Sequence, residues 1–214
     1  AGETLGNQVA LEVYYSLEPT DSGSTRLKLG DECFQISSSS RGICENAALA
    51  ILAAWDLYLP TELIRERIEQ WHPDGNRGRI AQAGAQTFYI DCYNANPASM
   101  RDAIHAFVAA MPEDQPRCYV LGAMNELGDA AVDLHESTAA GLELREEDFA
   151  CFVGPGYLRA AYVRGLLSTE AGPEQIHAVE SCHELKSFIA DFEGAIFLKG
   201  SRSYALENLL PAGL

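Results

Sequence analysis

The chain has 214 residues, enough for one large domain or two small ones, and its 47% hydrophobic content supports an ordinary core and excludes disorder as the main state. Fifteen basic against thirty-one acidic residues give a formal charge of −16. That balance excludes a general nucleic-acid binder and disfavours an anionic membrane surface. The longest apolar run, Ala47–Asp56, is too short to span a bilayer.

The first forty residues read as β-rich. Val9–Leu17 and Arg26–Ile36 carry β-branched and aromatic residues and are separated by a turn at Pro19–Ser24. Helical spacing then runs through Cys44–Tyr58, and Pro60 stops it. Thr61 is placed to cap a second helix with Leu63, Ile64, Ile68 and Trp71 on its apolar face. Pro73–Gly78 is a breaker cluster.

From Arg79 onward strands and helices alternate. Thr87–Asp91 reads as a strand, and Asn96 caps a helix that has Pro97 at its first position. Met100, Ile104, Phe107, Val108 and Met111 form one stripe of that helix. Strands follow at Cys118–Leu121, Phe149–Val153, Gln175–Val179 and Ala195–Leu198. Helices follow at Asp129–Leu142, Gly156–Leu167, Ser181–Phe192 and Arg202–Leu210. Ser181 and Glu184 have the spacing of a capping box. The pattern predicts an α/β fold: a Rossmann-like, mostly parallel sheet with helices on both faces, preceded by a small α+β segment. The domain boundary is placed near Gly84, giving segments 1–83 and 84–214.

The six cysteines lie far apart and form no C-x-x-C pair, so they read as buried free thiols in a reduced, cytoplasmic setting rather than as a zinc site or a disulfide framework. No metal-ligating or catalytic constellation is visible. In doubly wound sheets, ligands bind beyond the carboxyl ends of the strands. Four polar loops hold that position. Asp91–Pro97 ends a strand in a carboxylate and adds the amides Asn94 and Asn96. Gly122–Gly128 brackets Glu126 between glycines. Gly154-Pro155-Gly156 opens a helix, and half a dinucleotide fingerprint at that point reads as a turn. Lys199-Gly200-Ser201-Arg202 gathers two cations and a hydroxyl in an otherwise acidic chain, a grouping that suits phosphate or carboxylate. Among the histidines only His135 stands close enough to Glu126 to be a candidate.

Together, D-C-Y-N-A-N-P-A-S-M at Asp91–Met100, V-L-G-A-M-N-E-L-G at Val120–Gly128 and F-L-K-G-S-R at Phe197–Arg202 resemble the Mur ligases, in the branch that adds D-Ala-D-Ala. By that resemblance, Asn46 contacts adenine, Arg79 approaches the nucleotide phosphates and Asp91 holds the ribose. Asn94, Asn96, Glu126, Lys199, Ser201 and Arg202 line the face that takes the amino substrate. Residues 84–214 would be the family's C-terminal domain, and residues 1–83 the end of its central ATPase domain. The implied parent enzyme uses ATP and Mg²⁺ to convert the carboxylate of a UDP-muramoyl tripeptide to an acyl phosphate, which the amine of D-Ala-D-Ala attacks. The implied partners are ATP, D-Ala-D-Ala, the UDP-muramoyl peptide and the N-terminal portions of the same protein. Departures from the family pattern are visible. The G-x-x-G-K-[ST] phosphate loop, the downstream magnesium ligands and the N-terminal UDP-binding domain are absent from this sequence, Gly42-Ile43 stands where the family has H-N, and Ala123 stands where it has Asp. Without the phosphate loop the chain alone is expected to be inactive and to hold no nucleotide tightly. A non-catalytic module derived from a Mur ligase and a folylpolyglutamate synthase-like ligase are the two other readings.

Overall fold

A computed structural model describes residues 15–20, 23–72 and 75–214. The chain divides into two compact units, Ala1–Pro73 and Asp74–Leu214.

The first unit holds an antiparallel meander of β1 (Tyr15–Pro19), β2 (Thr25–Leu29) and β3 (Glu32–Ile36), followed by α1 (Arg41–Asp56) and α2 (Thr61–Gln70). Along β2, Thr25, Leu27 and Leu29 point inward while Arg26 and Lys28 face solvent, the two-residue period of a half-buried strand. The continuous Arg26–Ile36 strand of the sequence reading is therefore a hairpin, turned by Gly30 at φ +58°. Val9–Tyr14, expected to be part of a strand, lies outside the described residues. Ser40 caps α1 by accepting from the Ile43 N–H at 3.3 Å, and the helix buries Cys44, Ala47, Ala48 and Ile51 on one stripe. These meet Leu27, Phe34, Ile36 and Ile64 in a single core. Thr61 does not cap α2. Pro60 holds that position, and the Thr61 hydroxyl instead accepts from Trp55 Nε1 at 3.1 Å. The apolar face expected of α2 is only partly used, because Leu63 and Trp71 stay exposed.

The second unit is a six-stranded sheet in the order β4-β5-β9-β6-β7-β8. Its strands are β4 (Arg79–Ala83), β5 (Gln86–Asp91), β6 (Arg117–Gly122), β7 (Phe149–Val153), β8 (Ile176–Val179) and β9 (Gly194–Lys199). All neighbours pair in parallel except β4, which runs antiparallel along the edge of β5. The sequence reading missed β4. Its turn contains Gly84 at φ +60°, so the boundary placed there falls inside a hairpin of the second unit.

The helices are α3 (Pro97–Ala110), α4 (Ala131–Ala140), α5 (Gly156–Leu167) and α6 (Lys186–Asp191). Central strands buried on both faces alternate between two cores. Tyr119 and Leu121 of β6, Phe152 of β7 and Phe197 of β9 join Met100, Phe107 and Tyr162 on one face. Val120, Cys151, Ile196 and Leu198 join Leu185, Ile189 and Leu206 on the other. Of the six thiols, five are buried and Cys33 is exposed, and none is in a disulfide.

Three expected helices are shorter than their patterns. The Asp129–Leu142 pattern opens with a 3₁₀ turn at Gly128–Ala130 before α4 begins. The capping box of Ser181 and Glu184 forms, but it opens a 3₁₀ turn at Cys182–Leu185, and α6 follows. The expected last helix is two 3₁₀ turns, Arg202–Tyr204 and Leu206–Leu209, broken where Ala205 adopts φ +46°. Gln175 closes a 3₁₀ turn rather than starting β8. No described helix is long and apolar enough to cross a membrane.

Candidate functional site

The carboxyl ends of β5, β9 and β6 bring three of the four predicted loops to one edge of the sheet. Register sets Asp91 beside Lys199 across β5 and β9, and Lys199 beside Leu121 across β9 and β6. Arg79 opens β4 opposite Ile90, so the antiparallel edge strand delivers an arginine to this same end.

Lys199 is 2% exposed. Its ammonium donates to Asp91 Oδ2 at 2.5 Å and to the Asn94 carbonyl at 3.2 Å. A buried ammonium needs such partners, because desolvating an unpaired charge is costly. Lys199 is therefore a paired cation that fixes the Asp91–Asn94 turn, not the open anion receptor that its neighbours in sequence suggested. Asp91 keeps partial exposure of its side chain. Asn94 folds back to accept from the Ala95 N–H at 2.8 Å. Asn96 caps α3 in a capping box with Ser99. Both amides thus have local structural work.

Two glycines let the next loops approach. A Cβ on Gly200 would land 2.6 Å from the Gly122 Cα, so the chain leaving β9 crosses the chain leaving β6 in van der Waals contact. Beyond the crossing, Ser201 N–H donates to the Ala123 carbonyl at 3.2 Å, and Ser201 Oγ accepts from the Asn125 N–H at 2.9 Å. The Asn125 amide donates to Ser203 Oγ at 2.9 Å and accepts from the Tyr204 hydroxyl at 3.3 Å. The Lys199–Tyr204 and Ala123–Asn125 segments form one stitched unit. Glu126 follows it, exposed and at φ +64°, an uncommon conformation for a residue with a Cβ. That backbone turns the carboxylate outward at the rim.

His135 is fully buried and supports this loop from below. Its Nε2 accepts from the Met124 N–H at 2.9 Å, and Nδ1 lies 2.5 Å from the Ala131 carbonyl. The neutral tautomer with the proton on Nδ1 satisfies both contacts. Burial depresses its pKa, and the Ala131 carbonyl opposes that in part. The ring also packs edge-on against Tyr162, whose hydroxyl donates to the Gly122 carbonyl at 3.1 Å. His135 is a structural pin of the loop rather than an exposed acid or base.

The open cations are arginines. Tyr93 is 44% exposed. The guanidinium carbons of Arg77 and Arg202 lie 3.9 and 5.4 Å from its ring centre, so the aromatic ring holds two cations at the rim. In the sequence Tyr93 stands out only as part of the Asp91–Met100 motif, and Arg77 stands in the Pro73–Gly78 breaker cluster with no role marked by its neighbours. The signal available was a second arginine two positions before Arg79. Gly154, in the fourth loop, sits at φ +147°, where an added Cβ would meet the Ala123 Cβ at 2.8 Å, which supports the turn reading. Asn46 is exposed on α1 of the first unit. No group of three or more His, Cys, Asp or Glu side chains placed to hold a metal occurs among the described residues.

Polar loops are gathered at the carboxyl ends of the strands of an α/β domain, the end at which open parallel sheets take their ligands. Residues 77–202 match the family described as Mur ligase, glutamate ligase domain, and the chain belongs to the Mur ligase family. It is 33% identical over 173 residues to the UDP-N-acetylmuramoyl-tripeptide–D-alanyl-D-alanine ligase of Treponema pallidum, covering 78% of this chain and 36% of that protein. A crystal structure of MurF from Acinetobacter baumannii superposes with a TM-score of 0.74 at 24% identity, over 91% of this chain and 43% of that one. MurF from Thermotoga maritima in complex with ADP gives 0.70 at 18% identity, over 91% and 44%. Folylpolyglutamate synthase from Thermotoga maritima gives 0.62 at 15% identity, a likeness of fold. The chain spans less than half the length of each of these relatives.

Proposed function

We propose that this chain is the amino-substrate portion of an ATP-dependent amide ligase of cell-wall precursor synthesis, working in the cytoplasm. The reaction joins D-Ala-D-Ala to a UDP-N-acetylmuramoyl tripeptide. The first unit, Ala1–Pro73, contributes the end of the central ATPase domain. The observation that carries the reading is the 33% identity to a D-Ala-D-Ala ligase, on a chain whose substrate-side loops are held in one stitched unit.

The residues at the sheet edge fit a nucleotide in part. Asp91 Oδ1 can accept from a ribose hydroxyl while Oδ2 stays on Lys199. Arg79, with Arg77 two positions before it, supplies cations for phosphate oxygens. In the assembled enzyme, ATP supplies the phosphoryl group that turns the tripeptide carboxylate into a good electrophile. The chain's own residues orient the incoming amine. Arg202 and the Ser201 segment receive the carboxylate of D-Ala-D-Ala, and exposed Glu126 attracts its ammonium. Asn94 and Asn96 shape the turn that carries Asp91. The ligands of the magnesium ion are assigned to the remainder of the parent enzyme.

The test is amide formation by the product of the complete gene. ATP and UDP-muramoyl tripeptide should release phosphate only when D-Ala-D-Ala is present, while the 214-residue chain alone should release none. Release driven equally by glutamate or by a folate, or no release from the complete product, overturns the proposal.

A further inference from the structure

At the amino-terminal end of the parallel strands, where β6 begins, a buried arginine lacks an anionic partner. Arg117 is 7% exposed, and its Nε is buried with no hydrogen-bond acceptor among the described residues. The nearby carboxylate does not serve it. Asp148 is fully buried, and Arg145 donates to both of its oxygens, at 2.9 and 2.7 Å. The remaining capacity of Asp148 is taken by the backbone N–H groups of Arg117 and Arg145, at 2.8 and 3.1 Å. Arg145 itself also reaches the carbonyls of Glu113 and Gln115. The Arg145–Asp148 pair is therefore neutral and saturated, and the Arg117 charge is left over. A buried guanidinium in that state is costly unless something meets it.

Arg117 lines a cleft of about 280 Å³. Tyr119 shares its floor. Burial raises the pKa of that phenol, so it stays a neutral hydroxyl, and Arg117, through its charge and a side-chain hydrogen bond to the phenol oxygen, opposes the rise only in part. Ile104 and Val108 of α3 form an apolar wall, and His105 and exposed Glu143 stand at the rim. Arg117 and Glu143 line the same cleft. A cation at the floor, an anion at the rim and an aliphatic wall between them are the complement of a small zwitterion.

We propose that this cleft binds a short-chain amino acid, its carboxylate on Arg117 and the Tyr119 hydroxyl, its ammonium on Glu143, and its aliphatic side chain along Ile104 and Val108. The site is separate from the substrate edge, and the proposal stands without the ligase reading.

The test is a titration of the full ¹⁵N-labelled chain with norvaline, butyrate and butylamine, following the Arg117 Nε–H resonance and, in the variants as well, the backbone amides of Tyr119 and Gly141. Norvaline should shift them saturably, butyrate more weakly, and butylamine not at all. Arg117→Gln should weaken norvaline binding by about tenfold or more, the loss of one charge-assisted hydrogen bond. Glu143→Gln, on the exposed rim, leaves the fold intact and should weaken norvaline several-fold while sparing butyrate. It carries the test if Arg117→Gln does not fold. An unsaturable or absent shift with norvaline overturns the proposal. So does an equal response to all three probes, or unchanged norvaline affinity in the Glu143→Gln protein.

Discussion

Removing one partner of the Asp91–Lys199 pair should cost stability unequally, because the two groups are buried unequally. The Lys199 side chain is 2% exposed and that of Asp91 is 20% exposed. Asp91→Asn leaves the ammonium inside the fold with only an amide oxygen and the Asn94 carbonyl as acceptors. Uncompensated buried charges of this kind cost about 3–5 kcal/mol. Lys199→Met leaves a carboxylate that still reaches water, and a methionine that fills the lysine's channel. That change should cost about 1–3 kcal/mol, the scale of one lost charged hydrogen bond. At roughly 2–4 °C per kcal/mol for a chain of this size, 3 kcal/mol is a drop of roughly 6–12 °C in Tm. The double variant, with no charge to strand, should be more stable than Asp91→Asn alone. Urea unfolding followed by far-ultraviolet circular dichroism measures all four proteins. If Lys199→Met costs as much as Asp91→Asn, or if the two costs simply add, the reasoning fails.

The remaining predictions concern the supports of the same edge. Burial holds the folded-state pKa of His135 below the ordinary value near 6.5, so the unfolded chain binds more protons. Its contribution to stability is complete above about pH 6.5 and declines as pH falls from there toward the folded value. His135→Gln, neutral throughout, should flatten that slope, and an unchanged profile of unfolding free energy against pH would exclude the assignment. Gly200→Ala should cost about 1–3 kcal/mol by forcing the Gly122 crossing apart. The displacement should appear as amide shifts at Ser201 and Asn125, and their absence contradicts the crossing. Arg145→Met should cost about 3–5 kcal/mol, because Asp148 stays buried without its cation, and denaturant midpoints measure it.

Much of the sheet was legible because its strands are short apolar runs bounded by turn residues. Phe149–Val153 and Gly156–Leu167 fall where periodicity placed them. β4 was not legible. Its sequence, Arg-Ile-Ala-Gln-Ala, carries a single β-branched residue, and an edge strand needs little apolar content. The last helix failed for a different reason: Leu206 and Leu209 have helical spacing, but a left-handed Ala205 breaks the chain between the two turns. At the candidate site, loop composition located Asp91, Lys199 and Ser201, and register brought them together. What composition does not carry is pairing. Lys199 and Arg202 look equivalent in sequence, yet one is buried against a carboxylate and the other lies exposed near Tyr93. The roles of Arg77 and His135 depend on contacts with residues 16 and 11 positions away, Tyr93 and Met124, which no local pattern encodes.

The central claim is that this edge receives D-Ala-D-Ala, and titration of the labelled chain with that dipeptide tests it most directly. The amides of Ser201, Arg202 and Glu126 should shift saturably with D-Ala-D-Ala, far less with L-Ala-L-Ala or D-glutamate, and not in the Arg202→Gln protein. No saturable shift, or equal shifts with all three compounds, would contradict the account.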